Sequence, residues 1–529
     1  MFKSPQRTLP ALLLTASLLA LGPLPAPAAA PASTAASAHV AWIPAGTDSE
    51  VDRAFAQARS DGKPLLLYWG AAWCPPCNQL KATLFNRQDF IERSRAFVPV
   101  YVDGDLPGAQ KLGARFKVRG YPTLILFNPS GAEVTRLPGE VDAPKVMEML
   151  QLGMAGGRPV AAVLADAKAG KPLSPNEWRL LAWYSWDTDE TLIPEATRGA
   201  ELAALAAAAP PVEAQAATRL WLKALAESDD GKGVAADAAL RDRVMKVLAD
   251  PAAARAQMDV LTNWPVEIVR AITTRHAGGQ RDAVLAAYNA ALRRLEADTT
   301  LSRADRLGAL LAQVELARMG TPDDATKVKL PAPLVKDLRE HVARDDREIT
   351  DGYERQAVIT TGAYALERAG LMSESDALLK ANLAKSHSPY YLMSALASNA
   401  KKRGDKAEAL RWYEQAYQAS VGPATRLQWG ASYVRALVDL SPQDSARIER
   451  AASQLIAEAA AQPNAFYERS ARSLQSASKK LQAWNGSGTH TDTIKRLQAQ
   501  LAPVCAKLPT ADAQRSTCEG LLHGNATAG

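Results

Sequence analysis

The sequence predicts two kinds of structure in one chain: an α/β domain with a mixed central sheet flanked by helices, then a large all-α region. Residues 48–155 contain short apolar runs that alternate with helical patterns. From residue 156 to residue 529 alanine dominates and helical periodicity continues without strand-like runs. The length of 529 residues also predicts more than one domain, because single cores stop growing well below that size.

The start of the chain predicts an exported protein. Lys3 and Arg7 precede an apolar stretch over residues 9–21, and small residues suitable for cleavage follow. This pattern is typical of a secretory signal peptide, which we assign to residues 1–30, and the stretch is short for a membrane span of roughly 20 residues. An uncleaved signal anchor is the alternative. Residues 31–47 are rich in proline and alanine and predict a linker. We therefore expect a periplasmic or secreted protein without a membrane span after cleavage.

The elements of the α/β domain follow from its apolar pattern. Residues 65–69 form a nearly continuous apolar run, typical of a strand that is buried on both faces. Three further strands are predicted at residues 97–102, 123–127 and 132–136, the last one after a hairpin turn. Helical patterns occupy residues 51–58, 77–87, 109–116 and 143–154. Strands and helices in this order predict a mixed sheet with helices on its faces.

The four cysteines form two pairs along the chain, Cys74 with Cys77 and Cys505 with Cys518. The first pair follows a predicted strand and begins a predicted helix, where free N–H groups and the helix dipole stabilise a thiolate. Such a thiolate attacks disulfides, so Cys74 is the predicted nucleophile and Cys77 the resolving thiol. The second pair predicts a structural disulfide that closes a loop of about 14 residues, with a second redox centre as the alternative.

Cys74 and Cys77 have two other interpretations, a zinc site and a structural disulfide. A single C-x-x-C is half of a zinc site, but the sequence has no second C-x-x-C and its six histidines are dispersed. A purely structural disulfide is the other alternative, although a loop of two residues constrains little chain. We expect no metal and no cofactor besides the redox-active disulfide.

Two separated motifs resemble thioredoxin-fold proteins. They are the pentapeptide Trp73-Cys74-Pro75-Pro76-Cys77 and the segment from Val118 to Phe127, which contains Tyr121-Pro122; Gly139 fits the same pattern. Residues 48–154 are also similar to the C-terminal redox domain of bacterial thiol–disulfide interchange proteins. The resemblance implies a thiol–disulfide oxidoreductase in which Pro122 is cis and packs beside the disulfide. It further implies a substrate groove lined by Trp73, Pro75, Pro76, Tyr121 and Pro122.

One departure from the family pattern affects proton transfer. Thioredoxins usually bury an aspartate six residues before the first cysteine, with a lysine on the next strand. The corresponding residues here are Tyr68 and Pro99, neither of which is a base near neutral pH. Asn78 also replaces the lysine that is common just after the motif. We therefore expect slower general disulfide reduction than a standard thioredoxin shows, and a dependence on the partner.

The helical region contains one internal repeat. Gly370 and Gly404 lie 34 positions apart, and the residues around them recur. This period is typical of tetratricopeptide repeats, which we predict around residues 356–420, within a wider helical array. Such arrays bind polypeptides, so the region is predicted to dock partners. An aromatic cluster near its start has helical spacing that favours a core over a ligand site; its members are Trp178, Trp183, Tyr184 and Trp186.

The charge pattern disfavours a nucleic-acid partner. The net charge is +6, and the basic residues are scattered. The densest basic triplet, at residues 401–403, lies beside a glycine at a predicted helix end, where it complements the helix dipole. The expected partners are cysteine-containing proteins or a membrane disulfide reductase, together with a peptide or protein bound by the helical region. The rival hypothesis is an interaction scaffold or co-chaperone with little redox activity, and a dedicated electron relay is a third.

Overall fold

The computed structural model describes residues 39–137, 142–189, 191–228, 232–234, 236–273 and 279–523. The predicted signal peptide, the first part of the predicted linker and Gly139 lie outside these residues.

The sheet is mixed, as predicted, and has five strands, one more than the four that the sequence predicts. The strands are β1 (Ile43–Pro44), β2 (Leu65–Gly70), β3 (Val98–Asp103), β4 (Thr123–Phe127) and β5 (Glu133–Leu137), in the order β1-β3-β2-β4-β5. β1 and β2 run parallel to β3, whereas β4 runs antiparallel to both β2 and β5. The prediction of a linker up to residue 47 is wrong at its end, because β1 lies inside it and the Ala45 N–H donates to the carbonyl of Tyr101 at 2.9 Å.

Five helices flank the sheet: α1 (Asp48–Asp61), α2 (Pro75–Leu80), α3 (Gln88–Arg93), α4 (Ala109–Arg115) and α5 (Ala143–Met154). The start of α1 is fixed by a capping box in which Thr47 and Glu50 bond reciprocally. The helix predicted over residues 77–87 is confirmed for residues 77–85, but its bounds differ. α2 begins at Pro75, because proline suits a first helical turn, and a π-helical turn, Lys81–Phe85, follows it.

The remaining helices form the all-α region. They are α6 (Val160–Lys168), α7 (Pro175–Ala182), α8 (Glu195–Ala208), α9 (Ala214–Ala226), α10 (Ala238–Ala249), α11 (Pro251–Ala256), α12 (Met258–Asn263), α13 (Pro265–Thr273), α14 (Gly279–Ala297), α15 (Arg303–Ala317), α16 (Ala332–Glu348), α17 (Gly352–Arg368), α18 (Met372–Asn382), α19 (Pro389–Lys402), α20 (Lys406–Ala419), α21 (Pro423–Leu440), α22 (Ser445–Ala460), α23 (Glu468–Trp484), α24 (Thr491–Ala506) and α25 (Ala513–Glu519). Within these described residues, no helix is both long enough and apolar enough to span a lipid bilayer.

The 34-residue repeat corresponds to two successive helix pairs, α17 with α18 and α19 with α20. Gly370 and Gly404 connect the helices of each pair with φ angles of 77° and 82°, a conformation that other residues rarely adopt. Ala363 and Ala397, which occupy equivalent positions, are both buried. The repeat therefore has a structural basis, while its assignment to the tetratricopeptide family stays a prediction.

The sheet and the helical region share a core. One face of β2 and β4, with Leu66 and Leu126, packs on α5 and continues into the apolar interior of α6 and α7. The predicted aromatic cluster belongs to this interior, and all four of its members are buried: Trp178, Trp183, Tyr184 and Trp186. The described residues from 39 to 523 accordingly form one compact unit rather than two separate bodies.

Candidate active site

Cys74 caps the N-terminus of α2 and is joined to Cys77 by a disulfide with a Cα–Cα distance of 5.2 Å. The Cys77 main-chain N–H donates to the Cys74 sulfur at 3.2 Å. Pro75 and Pro76 have no N–H, so this is the first main-chain donor that the helix can offer the sulfur. A donor and the positive end of the helix both favour a thiolate at Cys74 over one at Cys77.

Pro122 follows a cis peptide bond after Tyr121, in agreement with the resemblance. The Tyr121 and Trp73 rings meet edge to face with centroids 6.1 Å apart, and both rings pack against the two cysteines. The structure thus brings together residues from two segments more than 40 positions apart, which the sequence had linked through the resemblance alone.

Tyr68 occupies the position at which thioredoxins usually bury an aspartate. The Tyr68 side chain is fully buried between the rings of Phe85 and Tyr101, whose centroids lie 4.7 Å and 5.1 Å away. Burial raises the pKa of the Tyr68 hydroxyl well above its usual value, and that hydroxyl has no hydrogen-bond partner among the described residues. Tyr68 therefore keeps its proton and cannot act as a base near neutral pH.

Two charged residues near Tyr68, Asp103 and Lys81, were not predicted from the sequence. Asp103 ends β3 opposite Gly70, and burial raises the pKa of its carboxyl. Burial lowers the pKa of the Lys81 amine, which lies 5.9 Å from the centre of the Tyr101 ring. The attraction between Asp103 and Lys81 opposes both shifts. A signal was present in the sequence, because Lys81 lies four residues after Cys77 and so on the same side of the helical turn.

Asn78 holds the loop before the disulfide. Its side-chain amide donates to the carbonyl oxygens of Ala72 and Cys74, each at 2.8 Å, and its side chain is fully buried. The residue that replaces the usual lysine thus fixes the backbone around Cys74 instead of contributing charge.

The helical region covers the face that carries the disulfide. The ring of Trp73 stacks on Tyr391 of α19 at 5.8 Å and meets Trp429 of α21 edge-on at 5.3 Å. The main chain beside it is contacted too, since Gln356 of α17 donates to the Trp73 carbonyl at 3.4 Å. As a result Cys74 is 2% exposed and Cys77 is 0% exposed.

Polar contacts hold this cover, which is the part of the helical region over the disulfide, against the α/β domain on two sides. Asp105, in the loop after β3, accepts hydrogen bonds from the Thr425 N–H at 2.8 Å and its hydroxyl at 2.7 Å, and pairs with Arg469 at 2.7 Å. On the other side Gln79 of α2 donates to Asp305 of α15 at 2.7 Å. Nothing in the sequence pattern pointed to these contacts, because each joins residues more than 200 positions apart.

The residues of the predicted substrate groove lie on two sides of Trp73. Trp73 and Tyr121 line a cavity of about 400 Å³ between the α/β domain and helices α21 and α23. Pro75 and Pro76 line a different cavity of about 480 Å³ between α2 and helices α15, α17 and α19. The helical region packs on Trp73 and separates the two cavities, and the binding of a substrate by these residues stays a prediction.

Cys505 and Cys518 form the second disulfide, as predicted from their spacing. They join the end of α24 to α25 through a disulfide, with a Cα–Cα distance of 5.5 Å, and both are buried in the core of the last helices.

A two-cysteine motif at the start of a helix, beside a cis proline on a mixed five-stranded sheet, defines a thioredoxin-like domain. Residues 51–153 match the family described as "thioredoxin-like domain". The chain is similar to thiol:disulfide interchange protein DsbD 2 of Pseudomonas aeruginosa, with 35% identity over 116 residues, which cover 21% of this chain and 20% of that protein. DsbD of Klebsiella pneumoniae is 31% identical over 136 residues, or 25% of this chain and 22% of that protein.

The chain therefore spans about a fifth of the length of the curated relatives it matches. Among solved structures, a thioredoxin from Thermus thermophilus is 27% identical and covers 21% of this chain and 85% of that chain, with a TM-score of 0.19. The family match and the curated relatives show a thioredoxin-like domain with homology to DsbD-type proteins, and a large helical region follows it in the described residues.

Proposed function

We propose that this chain is an exported thiol–disulfide oxidoreductase that exchanges disulfides with cysteine-containing partners. The observation that carries the proposal is the Cys74–Cys77 disulfide at the start of α2, packed against Trp73 and Tyr121 beside cis Pro122. Relatives named as thiol:disulfide interchange proteins share this part of the sequence. Export rests on the signal-peptide pattern of residues 1–30, which supports a periplasmic or secreted location.

In the proposed reaction the reduced enzyme carries a thiolate at Cys74. This thiolate attacks a partner disulfide, forms a mixed disulfide and releases one partner thiolate. The Cys77 thiolate then attacks the Cys74 sulfur, restores the internal disulfide and releases the second partner thiolate. Two electrons pass from the enzyme dithiol to the partner. The reverse sequence oxidises a partner dithiol, and the reduction potential decides which direction prevails.

Deprotonation of Cys77 is the step that lacks its usual base. Because Tyr68 stays protonated, we propose that Asp103, which pairs with Gly70 at the end of β2, and Lys81, one helical turn after Cys77, exchange this proton through water. We therefore propose slow general exchange, with a rate well below that of a standard thioredoxin in an insulin-reduction assay. A matching rate would contradict this part of the proposal.

We further propose that the helical region selects partners by covering the disulfide. With Cys74 at 2% exposure, a partner sulfur reaches it only after the contacts of Trp73 with Tyr391 and Trp429 are displaced. A partner that binds the helices well enough to displace them gains access, and other disulfides are excluded.

The trapping variant Cys77→Ser tests the proposal. Without the resolving thiol, partners should accumulate as mixed disulfides through Cys74, visible on non-reducing gels and released by reductant. The matched control is Cys74→Ser/Cys77→Ser, which should trap nothing. If Cys77→Ser folds normally and accumulates no mixed disulfide, the enzymatic proposal is wrong.

A second candidate is a scaffold or co-chaperone in which the α/β domain only binds. The covered disulfide and the missing acid at Tyr68 favour this candidate. If Cys74→Ser/Cys77→Ser retains full function in cells, the scaffold explains the protein better. The reduction potential separates the redox roles: a value near the roughly −270 mV of thioredoxin fits a reductant or a relay fed by a membrane reductase, and one near the roughly −120 mV of DsbA fits an oxidant.

A further inference from the structure

The cavity beside Trp73 and Tyr121, which we call the arginine chamber, lies at the edge of the covered disulfide. Its walls come from the α/β domain at Trp69 and Tyr121 and from helices α21 and α23 of the helical region. Its volume of about 400 Å³ is within the roughly 300–1,000 Å³ of small-ligand sites and too small for a folded domain. Only an extended segment of a partner chain fits into the arginine chamber.

The chamber carries an excess of positive charge. Its charged lining consists of one glutamate and four arginines: Glu468, Arg119, Arg435, Arg469 and Arg472. Arg469 is neutralised by Asp105 and Arg472 by Glu468 at 2.7 Å, while Arg119 lies 3.9 Å from Glu468 and has a further interaction elsewhere. Arg435 bonds to the hydroxyls of Ser432 and Ser476, and it forms no ion pair with a carboxylate in the described part of the chain. The lining can therefore bind at least one further anion.

The lining also holds donors that have no acceptor. The indole N–H groups of Trp69 and Trp73 and the Nε of Arg469 are buried and unpartnered among the described residues. Unpaired buried donors are uncommon in proteins and indicate a missing partner. Carboxylate and carbonyl oxygens are the acceptors that such a set would take, once Trp73 shifts away from its aromatic neighbours.

We propose that the arginine chamber admits an extended, acidic, cysteine-containing peptide segment of the redox partner. The proposal rests on the proposed function and narrows its substrate class. Acidic side chains lie between Arg435 and Arg472, the segment runs past Tyr121, and its cysteine meets Cys74 after Trp73 has moved. The cavity on the other side of Trp73 has two acids and one lysine in its lining, Asp305, Glu367 and Lys402, so only the arginine chamber carries an excess of positive charge for an acidic segment.

In a single turnover the reduced Cys74 and Cys77 supply both electrons that the disulfide of such a segment takes up, so no further reductant is needed. The Cys74 thiolate breaks the disulfide of a dimeric peptide and releases one peptide thiolate. Cys77 then displaces the second peptide thiolate from Cys74. The enzyme ends with its Cys74–Cys77 disulfide, and the peptide disulfide has gained two electrons.

The experiment uses the full chain, reduced beforehand and freed of reductant, with three disulfide-linked peptide dimers of equal length. Glutamate, glutamine or lysine flanks the cysteine in the acidic, neutral and basic peptides. We expect the acidic peptide to show the highest second-order rate constant for the single turnover and the basic one the lowest, with the difference shrinking as salt is raised. Arg435→Ala/Arg472→Ala should lower this rate constant about tenfold for the acidic peptide and much less for the neutral peptide.

The matched control is Arg411→Ala, which removes an exposed arginine of α20 outside the chamber and should change none of the three rates. Equal rates for all three peptides, or an equal loss for all three in the double variant, would overturn the acidic-segment assignment. If the wild-type chain turns over no peptide at all, the proposed function fails, and this inference fails with it. Turnover without charge preference overturns this inference alone.

Discussion

Replacing Asp105 with alanine tests whether the helical region guards the disulfide. The carboxylate is 12% exposed and Arg469 is 11% exposed, and the pair joins the loop after β3 to α21 and α23. Removing one partner of a buried ion pair costs about 3–5 kcal/mol, because the other charge stays buried without compensation. These bonds form only while the helical region covers the disulfide. Their loss therefore destabilises the covered state relative to the open state.

The expected effect on access follows from that cost. A loss of about 3 kcal/mol raises the fraction of open molecules by roughly two orders of magnitude, since each 1.4 kcal/mol is about a factor of ten. We expect Asp105→Ala to speed reduction of the Cys74–Cys77 disulfide by a small dithiol to a comparable degree. Alkylation followed by intact mass measures the rate, and urea denaturation measures the free energy of unfolding.

Two further variants make the test specific. Asp105→Asn keeps the shape and the contact with Thr425 but removes the charge, so its effect should be intermediate. Asp323→Ala removes an acid that is 94% exposed and also pairs with an arginine, and it should change neither quantity appreciably. If Asp105→Ala lowers the free energy of unfolding while the disulfide is reduced at the wild-type rate, the cover does not control access.

Three further predictions concern single side chains. Burial raises the pKa of Asp305 from 3.8 to about 6. Between pH 3.8 and about 6 the folded state therefore binds more protons than the unfolded state. The free energy of unfolding should fall by about 3 kcal/mol as pH rises through this range. Asp305→Asn should flatten this part of the pH profile in urea denaturation, and an unchanged slope would contradict the assignment. Tyr68→Phe removes a buried hydroxyl without a partner; we expect the free energy of unfolding to stay level or rise by about 1 kcal/mol, and the exchange rate to stay the same. A slower exchange would show that the Tyr68 hydroxyl takes part. Cys505→Ser/Cys518→Ser should lower the free energy of unfolding by about 3 kcal/mol without altering the redox rate, whereas a lower redox rate would make this pair a relay.

The sequence was sufficient for features that depend on neighbouring residues. The apolar run at residues 65–69 marked β2, and the pattern at residues 143–154 marked α5 with its observed bounds. The position of Cys74 after a strand and before a helix indicated its chemistry, because helix ends act on sulfur through local backbone groups. The short strand β1 was missed, since two residues carry no periodic signal.

Only the tertiary structure decided what surrounds the disulfide. Tyr391, Trp429 and Arg469 lie more than 300 positions from Trp73, and nothing local in the sequence distinguishes them from other core or surface residues. Their contact depends on how successive helices turn back along the array, and small changes in many crossing angles determine that path. The sequence thus determined a redox-type motif on a mixed sheet. Folding of the distant helices determined that the motif is covered.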